Sequence, residues 1–189
     1  MPQLAPTPPG WVDAVLGDFD RFLQDHASCE KKAAGMALKI ASHYPDKPVL
    51  LNAMADLAVE EMSHYREVIR LLTRRGIAPA PDAKDPYIAA MNRHVRRGSA
   101  FFLLDRLLIA AVVETRGCER FGLIAEALPD GAEQRFFAAL NESERRHGEL
   151  FLELARQHCD PDAVTPRIEA LARIEADIVA ALPLLPRLH

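Results

Sequence analysis

Two glutamate–histidine pairs stand on stretches of this chain that otherwise follow a helical apolar pattern. Glu61 and His64 are three residues apart, and Glu144 and His147 repeat that spacing. Residues three apart lie on one face of a helix, so each pair presents a carboxylate beside an imidazole. Both groups bind transition metals. A single Glu-x-x-His arises easily by chance, and the pairs therefore gain weight only from their surroundings.

A lone glutamate precedes each pair by one helix-turn-helix step. Glu30 comes 31 residues before Glu61, and Glu114 comes 30 residues before Glu144. The order is therefore Glu, Glu-x-x-His, Glu, Glu-x-x-His, which is typical of the dinuclear carboxylate sites of ferritin-like bundles. The sequence predicts six metal ligands: Glu30, Glu61, His64, Glu114, Glu144 and His147.

Each predicted ligand interrupts an apolar stripe, where a carboxylate is costly without a partner. The four stripes are Leu23, Ala27, Glu30, Ala34, Ala37, Ala41; Leu50, Met54, Leu57, Glu61, His64, Val68, Leu71; Leu103, Leu107, Ala110, Glu114, Gly117, Phe121, Ile124; and Phe137, Leu140, Glu144, His147, Phe151, Leu154. Since no Lys or Arg shares these stripes, buried ion pairs are the weaker explanation and a pair of metal ions the stronger. Oxygen ligands with one nitrogen per metal favour iron or manganese without separating them.

The elements that must carry these residues are helices, because the periodicity shows no convincing strand. Prolines, glycines and caps place four long helices at about Trp11 to His43 with a break near Gly17, Pro48 to Arg74-Arg75-Gly76, Ser99 to Leu128, and Ala132 to His158. A short extra helix runs from Asp85-Pro86 to about Arg97, and a C-terminal helix opens at Asp160-Pro161 or Thr165-Pro166 and ends before Pro183. We expect a single all-α domain over residues 1–189, a ferritin-like four-helix bundle preceded by a Pro-rich lead over residues 1–10.

Composition narrows the class of protein further. The chain has 189 residues, 49% hydrophobic and 26% charged, and a formal net charge of −4, which is unlike a protein that coats nucleic acid indiscriminately. No apolar run approaches the ~20 residues that span a bilayer, and the first residues do not resemble a signal peptide, so we expect no membrane and a cytoplasmic location. The three cysteines, Cys29, Cys118 and Cys159, have no paired spacing and are interpreted as small buried thiols.

One segment is locally basic. Residues 66–106 carry nine Lys and Arg against four Asp and Glu, an excess of 9 − 4 = +5. Such a segment either binds an anionic partner or forms ordinary solvated helix faces.

Several polar residues near the ligands are assigned other roles. Glu119 lies about 140° around the helix from Glu114 and is left outside the ligand set. Glu60 is interpreted as a solvated side chain, and His26, one turn before Glu30, as a capping or surface histidine.

The sequence segments around the predicted ligands resemble those of one protein family. Ser-Cys-Glu-Lys-Lys-Ala-Ala holds Glu30, Val-Glu-Glu-Met-Ser-His-Tyr holds Glu61 and His64, Glu-Thr-Arg-Gly-Cys-Glu-Arg-Phe begins at Glu114, and Glu-Ser-Glu-Arg-Arg-His contains Glu144 and His147. Together they are similar to the tRNA 2-methylthio-N6-isopentenyladenosine hydroxylases, from about Leu16 to the C-terminus.

The resemblance implies a non-haem diiron monooxygenase that hydroxylates the isopentenyl group of this adenosine, next to the anticodon of tRNA. It implies two iron ions, O2 as co-substrate, and an external electron donor such as a ferredoxin or a reductase. The anticodon loop would then contact basic side chains, of which we select Arg74, Arg75, Lys84, Arg93, Arg96 and Arg97. Lys31, Lys32, Arg116, Arg120, Arg145 and Arg146, near the ligands in sequence, are further candidates for phosphate contacts.

Other functions remain open from the residues alone. A ferritin-type ferroxidase would use the same six ligands without an organic substrate. Another diiron oxidase would act on a small lipid or amine, and a metal-free bundle would bind no ion at all.

Overall fold

A computed structural model describes residues 1–99 and 101–189. The described residues form seven helices: α1 Trp11–Gly17, α2 Phe19–His43, α3 Pro48–Arg74, α4 Pro86–Asn92, α5 Ser99–Ala127, α6 Ala132–His158 and α7 Pro161–Ala181. No strand occurs among the described residues. None of the helices in this part of the chain is long and apolar enough to cross a membrane.

The first compact unit consists of residues 13–83 and 185–188. Its main feature is a helical hairpin in which α2 packs along α3. Asp18 begins α2 as its N-cap, with a carboxylate that accepts the Arg21 N–H at 3.2 Å. Pro48 opens α3, where a missing N–H costs nothing. We call this part the α2–α3 unit.

The second compact unit consists of residues 1–12, 84–184 and 189. Within it α5 packs along α6, α7 packs against both, and α4 packs against α5 and α7. Asp85 caps α4 by accepting two backbone N–H groups of the first turn, and Asp160 caps α7 by accepting one. We call this part the α4–α7 unit.

The four predicted stripes are confirmed as the buried faces of α2, α3, α5 and α6. Their apolar members are at most 8% exposed, and five of the six predicted ligands are buried among them. His64 is the exception, with a side chain 15% exposed. The 3.6-residue period therefore identified the inner faces correctly.

Most helix bounds agree with the sequence prediction, including the break after Gly17 and the start of the last helix at Pro161. The short helix α4 is the exception, because it ends at Asn92 and not near Arg97. The backbone N–H of Arg96 donates to the carboxylate of Asp105 at 2.7 Å instead of continuing a helical ladder. Gly98 then turns the chain into α5 with φ 107°, a conformation that favours glycine.

Candidate metal centre

In the α2–α3 unit, Glu30, Glu61 and His64 form one cluster of ligand atoms. The Nδ1 atom of His64 lies 3.5 Å from Glu61 Oε2 and 3.7 Å from Glu30 Oε2. One ligand atom from each residue lies within 4.8 Å of the other two. Glu61 and His64 face the same way because α3 is regular between them, and the packing of α2 on α3 brings Glu30 beside them. We call these residues the first triad.

The electrostatics of the first triad favour a cation. Burial by itself raises the pKa of Glu30, but the His26 ring, together with His64 and Glu61, outweighs this and holds the pKa well below its usual range. Burial likewise lowers the pKa of His64, yet hydrogen bonds to Glu30 and Glu61 raise it to about 9. The Glu30 carboxylate therefore stays ionised and attracts positive charge.

In the α4–α7 unit, Glu114, Glu144 and His147 form the second triad. His147 Nδ1 lies 3.6 Å from Glu144 Oε2, and one ligand atom from each of the three residues lies within 4.8 Å of the others. The other ring nitrogen of His147, Nε2, lies 3.5 Å from Ser143 Oγ. Gly117, one turn after Glu114, lies against Glu144: a Cβ added at Gly117 would be in ordinary contact with Glu144 Cγ at 3.8 Å.

Both triads suit a transition metal bound by oxygen and nitrogen. Ligand atoms that surround one ion at about 2 Å lie roughly 3–4 Å apart, which is close to the separations within each triad. The triads have the same composition, two carboxylates and one imidazole. Such a donor set is suited to iron.

A family model described as "tRNA-(MS[2]IO[6]A)-hydroxylase (MiaE)" matches residues 3–189, which is nearly the whole chain. The chain belongs to this family. All six predicted ligands fall inside the matched range, and the resemblance inferred from the sequence is confirmed.

Two relatives carry the name tRNA 2-(methylsulfanyl)-N(6)-isopentenyladenosine(37) hydroxylase. The protein from Pseudomonas putida is 36% identical over 174 residues, covering 92% of this chain and 84% of the relative. The protein from Salmonella typhimurium is 32% identical over 223 residues, covering 92% and 82%.

A solved structure has the same fold. It is named "Protein 43 with aldehyde deformylating oxygenase activity from Synechococcus", and it superposes with a TM-score of 0.94 at 34% identity over 100% of this chain and 96% of that one. The predicted all-α, ferritin-like fold, with an extra short helix and a C-terminal helix, is confirmed.

The prediction that His26 is a capping or surface histidine is wrong. Its side chain is 0% exposed, and its Nε2 atom forms a short hydrogen bond with Glu30 Oε1. A signal was present in the sequence, because His26 is one turn before Glu30 and adjoins the buried Ala27 on the same stripe.

The prediction that Arg116 and Arg120 contact phosphates is also wrong. Arg116 is completely buried, and it binds Glu175 through Nε at 2.7 Å and Nη2 at 2.9 Å. Arg120 lies over the Trp11 ring at 4.7 Å, where burial and the nearby Arg116 lower its pKa to about 10. Glu119 accepts hydrogen bonds from Thr7 and Arg116, in agreement with its place outside the ligand set.

Five of the six basic residues selected for tRNA are exposed: Arg74, Arg75, Lys84, Arg93 and Arg97. Arg75 also pairs with Asp20 at 2.6 Å. Arg96 is half-buried, donates Nε and Nη2 to Asp105 at 2.9 and 2.8 Å, and lies over the Phe101 ring. The three cysteines are half-buried, so their prediction as buried thiols was wrong in degree.

Proposed function

We propose that this chain is a non-haem diiron monooxygenase that hydroxylates the isopentenyl group of 2-methylthio-N6-isopentenyladenosine next to the anticodon of tRNA. The observation that carries the proposal is the family match over residues 3–189, within which both Glu and Glu-x-x-His sets are complete. The names of the two bacterial relatives give the substrate.

The two triads are proposed to act together, in a single ferritin-like domain, as the ligands of one pair of iron ions. Four carboxylates offset the charge of two divalent ions, which would otherwise repel one another strongly. Bound iron supplies the redox chemistry by which one oxygen atom of O2 is transferred to a carbon atom. The chain contributes buried carboxylates, two histidines, and apolar neighbours that exclude water from the reacting groups.

The partners follow from the substrate. Anticodon-loop bases are accessible without melting a helix, and the loop brings phosphates that attract Lys and Arg. Arg74, Arg75, Lys84, Arg93, Arg96 and Arg97 are proposed to contact this RNA. Of these, Arg96 is the one whose side chain already holds a buried carboxylate, that of Asp105. Hydroxylation with O2 also needs two electrons, which an external ferredoxin or reductase is proposed to deliver in the cytoplasm.

The proposal is tested with protein expressed in iron-supplemented medium. Metal content is measured first, and tRNA that carries the prenylated adenosine is then incubated with reductant and O2 before nucleoside mass analysis. Two irons per chain and a gain of one oxygen on the nucleoside are expected. Glu114→Ala should lose both, whereas Glu126→Ala, an exposed glutamate on the same helix, should lose neither.

Two other results would contradict the proposed function. Protein without metal would refute the diiron centre. A protein that holds two irons and catalyses rapid oxidation of added ferrous ion by O2, with unchanged tRNA, would favour the ferroxidase.

A second candidate is an oxygenase that removes the formyl group from an aldehyde. It is favoured by the Synechococcus protein, whose name reports that activity and whose structure matches at a TM-score of 0.94. The same iron-loaded protein should be offered an aldehyde in place of tRNA, with reductant and O2. Turnover of the aldehyde without turnover of tRNA would replace the first proposal by the second.

A further inference from the structure

His26 is a buried polar residue in the α2–α3 unit that the ligand set does not include. It lies on α2 one turn before Glu30 and is completely buried. Its ring centre is 5.8 Å from that of Phe22, and Ala27 and Leu23 are buried beside it. An imidazole in such surroundings is costly unless a hydrogen bond compensates for the lost water.

The hydrogen bond that compensates goes to a predicted metal ligand. His26 Nε2 is bonded to Glu30 Oε1, while the other oxygen, Oε2, faces His64 Nδ1 at 3.7 Å. The two oxygens of Glu30 therefore have different neighbours. Only Oε2 points to the triad's imidazole.

We propose that His26 is a positioning residue for the metal centre. Its Nε2–H donates to Glu30 Oε1, fixes the rotation of the carboxylate, and leaves Oε2 as the ligand atom. Partners that hold a ligand in this way typically raise metal affinity 10–100-fold. The inference rests on the proposed metal site, and it adds a residue that neither the Glu-x-x-His pattern nor the six-ligand set contains.

A purely packing role predicts different behaviour. In that case any side chain of similar volume would serve, and metal binding would not depend on where its polar atom lies. The amide nitrogen of glutamine reaches about as far from the backbone as histidine Nε2, whereas that of asparagine corresponds to Nδ1. His26→Gln and His26→Asn therefore form a matched pair, since both are uncharged amides and differ in reach.

The test is a titration of each purified apo protein with cobalt(II), followed by visible absorption, which reports the geometry of the bound ion. His26→Gln should bind within about threefold of the wild type and with its spectrum. His26→Asn should bind at least one cobalt equivalent 10–100-fold more weakly and with an altered spectrum. His43→Gln, an exposed position on the same helix, is the control and should match the wild type. Thermal melting of the apo proteins monitors folding, and His26→Leu replaces the asparagine variant if the latter does not fold.

Each outcome decides the question. Equal affinities and spectra for the Gln and Asn variants, whether both match the wild type or both are weak, would overturn the role of the hydrogen bond. Failure of the wild type itself to bind cobalt would instead refute the metal site. The two failures are therefore distinguishable.

Discussion

The Arg116–Glu175 ion pair joins α5 to α7, and replacing Glu175 by leucine tests its contribution to stability. Both side chains are 0% exposed, and the guanidinium bonds both carboxylate oxygens. Arg116 also donates to Ala5 O at 2.8 Å and to Thr7 Oγ1 at 3.0 Å. The substitution thus leaves a buried guanidinium without its main counter-charge.

The magnitude follows from this geometry. Removing one partner of a buried pair costs about 3–5 kcal/mol of unfolding free energy. Glu119 still offers Arg116 a carboxylate, although one that is 33% exposed, so we expect about 3 kcal/mol. For a chain of this size 1 kcal/mol lowers Tm by roughly 2–4 °C, and the expected decrease is therefore about 6–12 °C.

The assay is thermal and urea unfolding followed by circular dichroism, on Glu175→Leu, Arg116→Met and the double variant. The double variant removes both charges, so it should be more stable than the sum of the single changes predicts. Its recovery will be incomplete, because the bonds to Ala5 and Thr7 are lost as well. A Glu175→Leu protein that melts within 2 °C of the wild type, or strictly additive effects, would refute the reasoning.

Three further predictions concern charged side chains. The double variant Arg93→Ala, Arg97→Ala should weaken tRNA binding and reduce the slope of log affinity against log salt concentration by about two. Arg173→Ala, at an exposed position on α7, should change neither. An unchanged slope in a filter-binding assay would argue against a tRNA contact at Arg93 and Arg97. Asp85→Ala should cost about 1–2 kcal/mol at neutral pH by uncapping α4. Burial raises the pKa of Asp85, but hydrogen bonds, to His189 above all, lower it to about 2. The difference in unfolding free energy between wild type and variant should therefore be complete above pH about 4 and vanish as the pH falls to about 2. Urea titrations that show the same difference at every pH would contradict this prediction. Asp105→Asn should cost about 1–3 kcal/mol, since this buried carboxylate accepts from both Arg96 and Arg167, and an unchanged urea midpoint would disprove that link.

Most helix ends could be predicted from local chemistry. A proline that opens a helix, as at Pro48 and Pro161, or an aspartate that caps one, as at Asp18, acts within one turn of the chain. The end of α4 could not be predicted in this way. It depends on Asp105, which accepts the Arg96 N–H from thirteen residues beyond the last helical residue, Asn92.

The burial of the four candidate glutamate ligands was predictable for a related reason. A carboxylate on an apolar stripe violates the helical pattern, and Glu30, Glu61, Glu114 and Glu144 each do so inside the chain's own 3.6-residue period. The grouping of each glutamate–histidine pair needs only one turn of helix. Glu30 and Glu114 lie beside these pairs because consecutive helices pack as hairpins, α2 with α3 and α5 with α6.

The sequence by itself thus determined the helices and their inner faces and predicted the candidate ligands, because each of these follows from spacing within a helix or between neighbouring helices. Tertiary structure alone decided which of the remaining polar residues are buried. Arg116 is inside because Ala5, Thr7 and Glu175, far from it in sequence, surround it with oxygen atoms. No periodicity encodes such a partner, since the free energy of burying a charge depends on atoms that only the folded chain brings within hydrogen-bond distance.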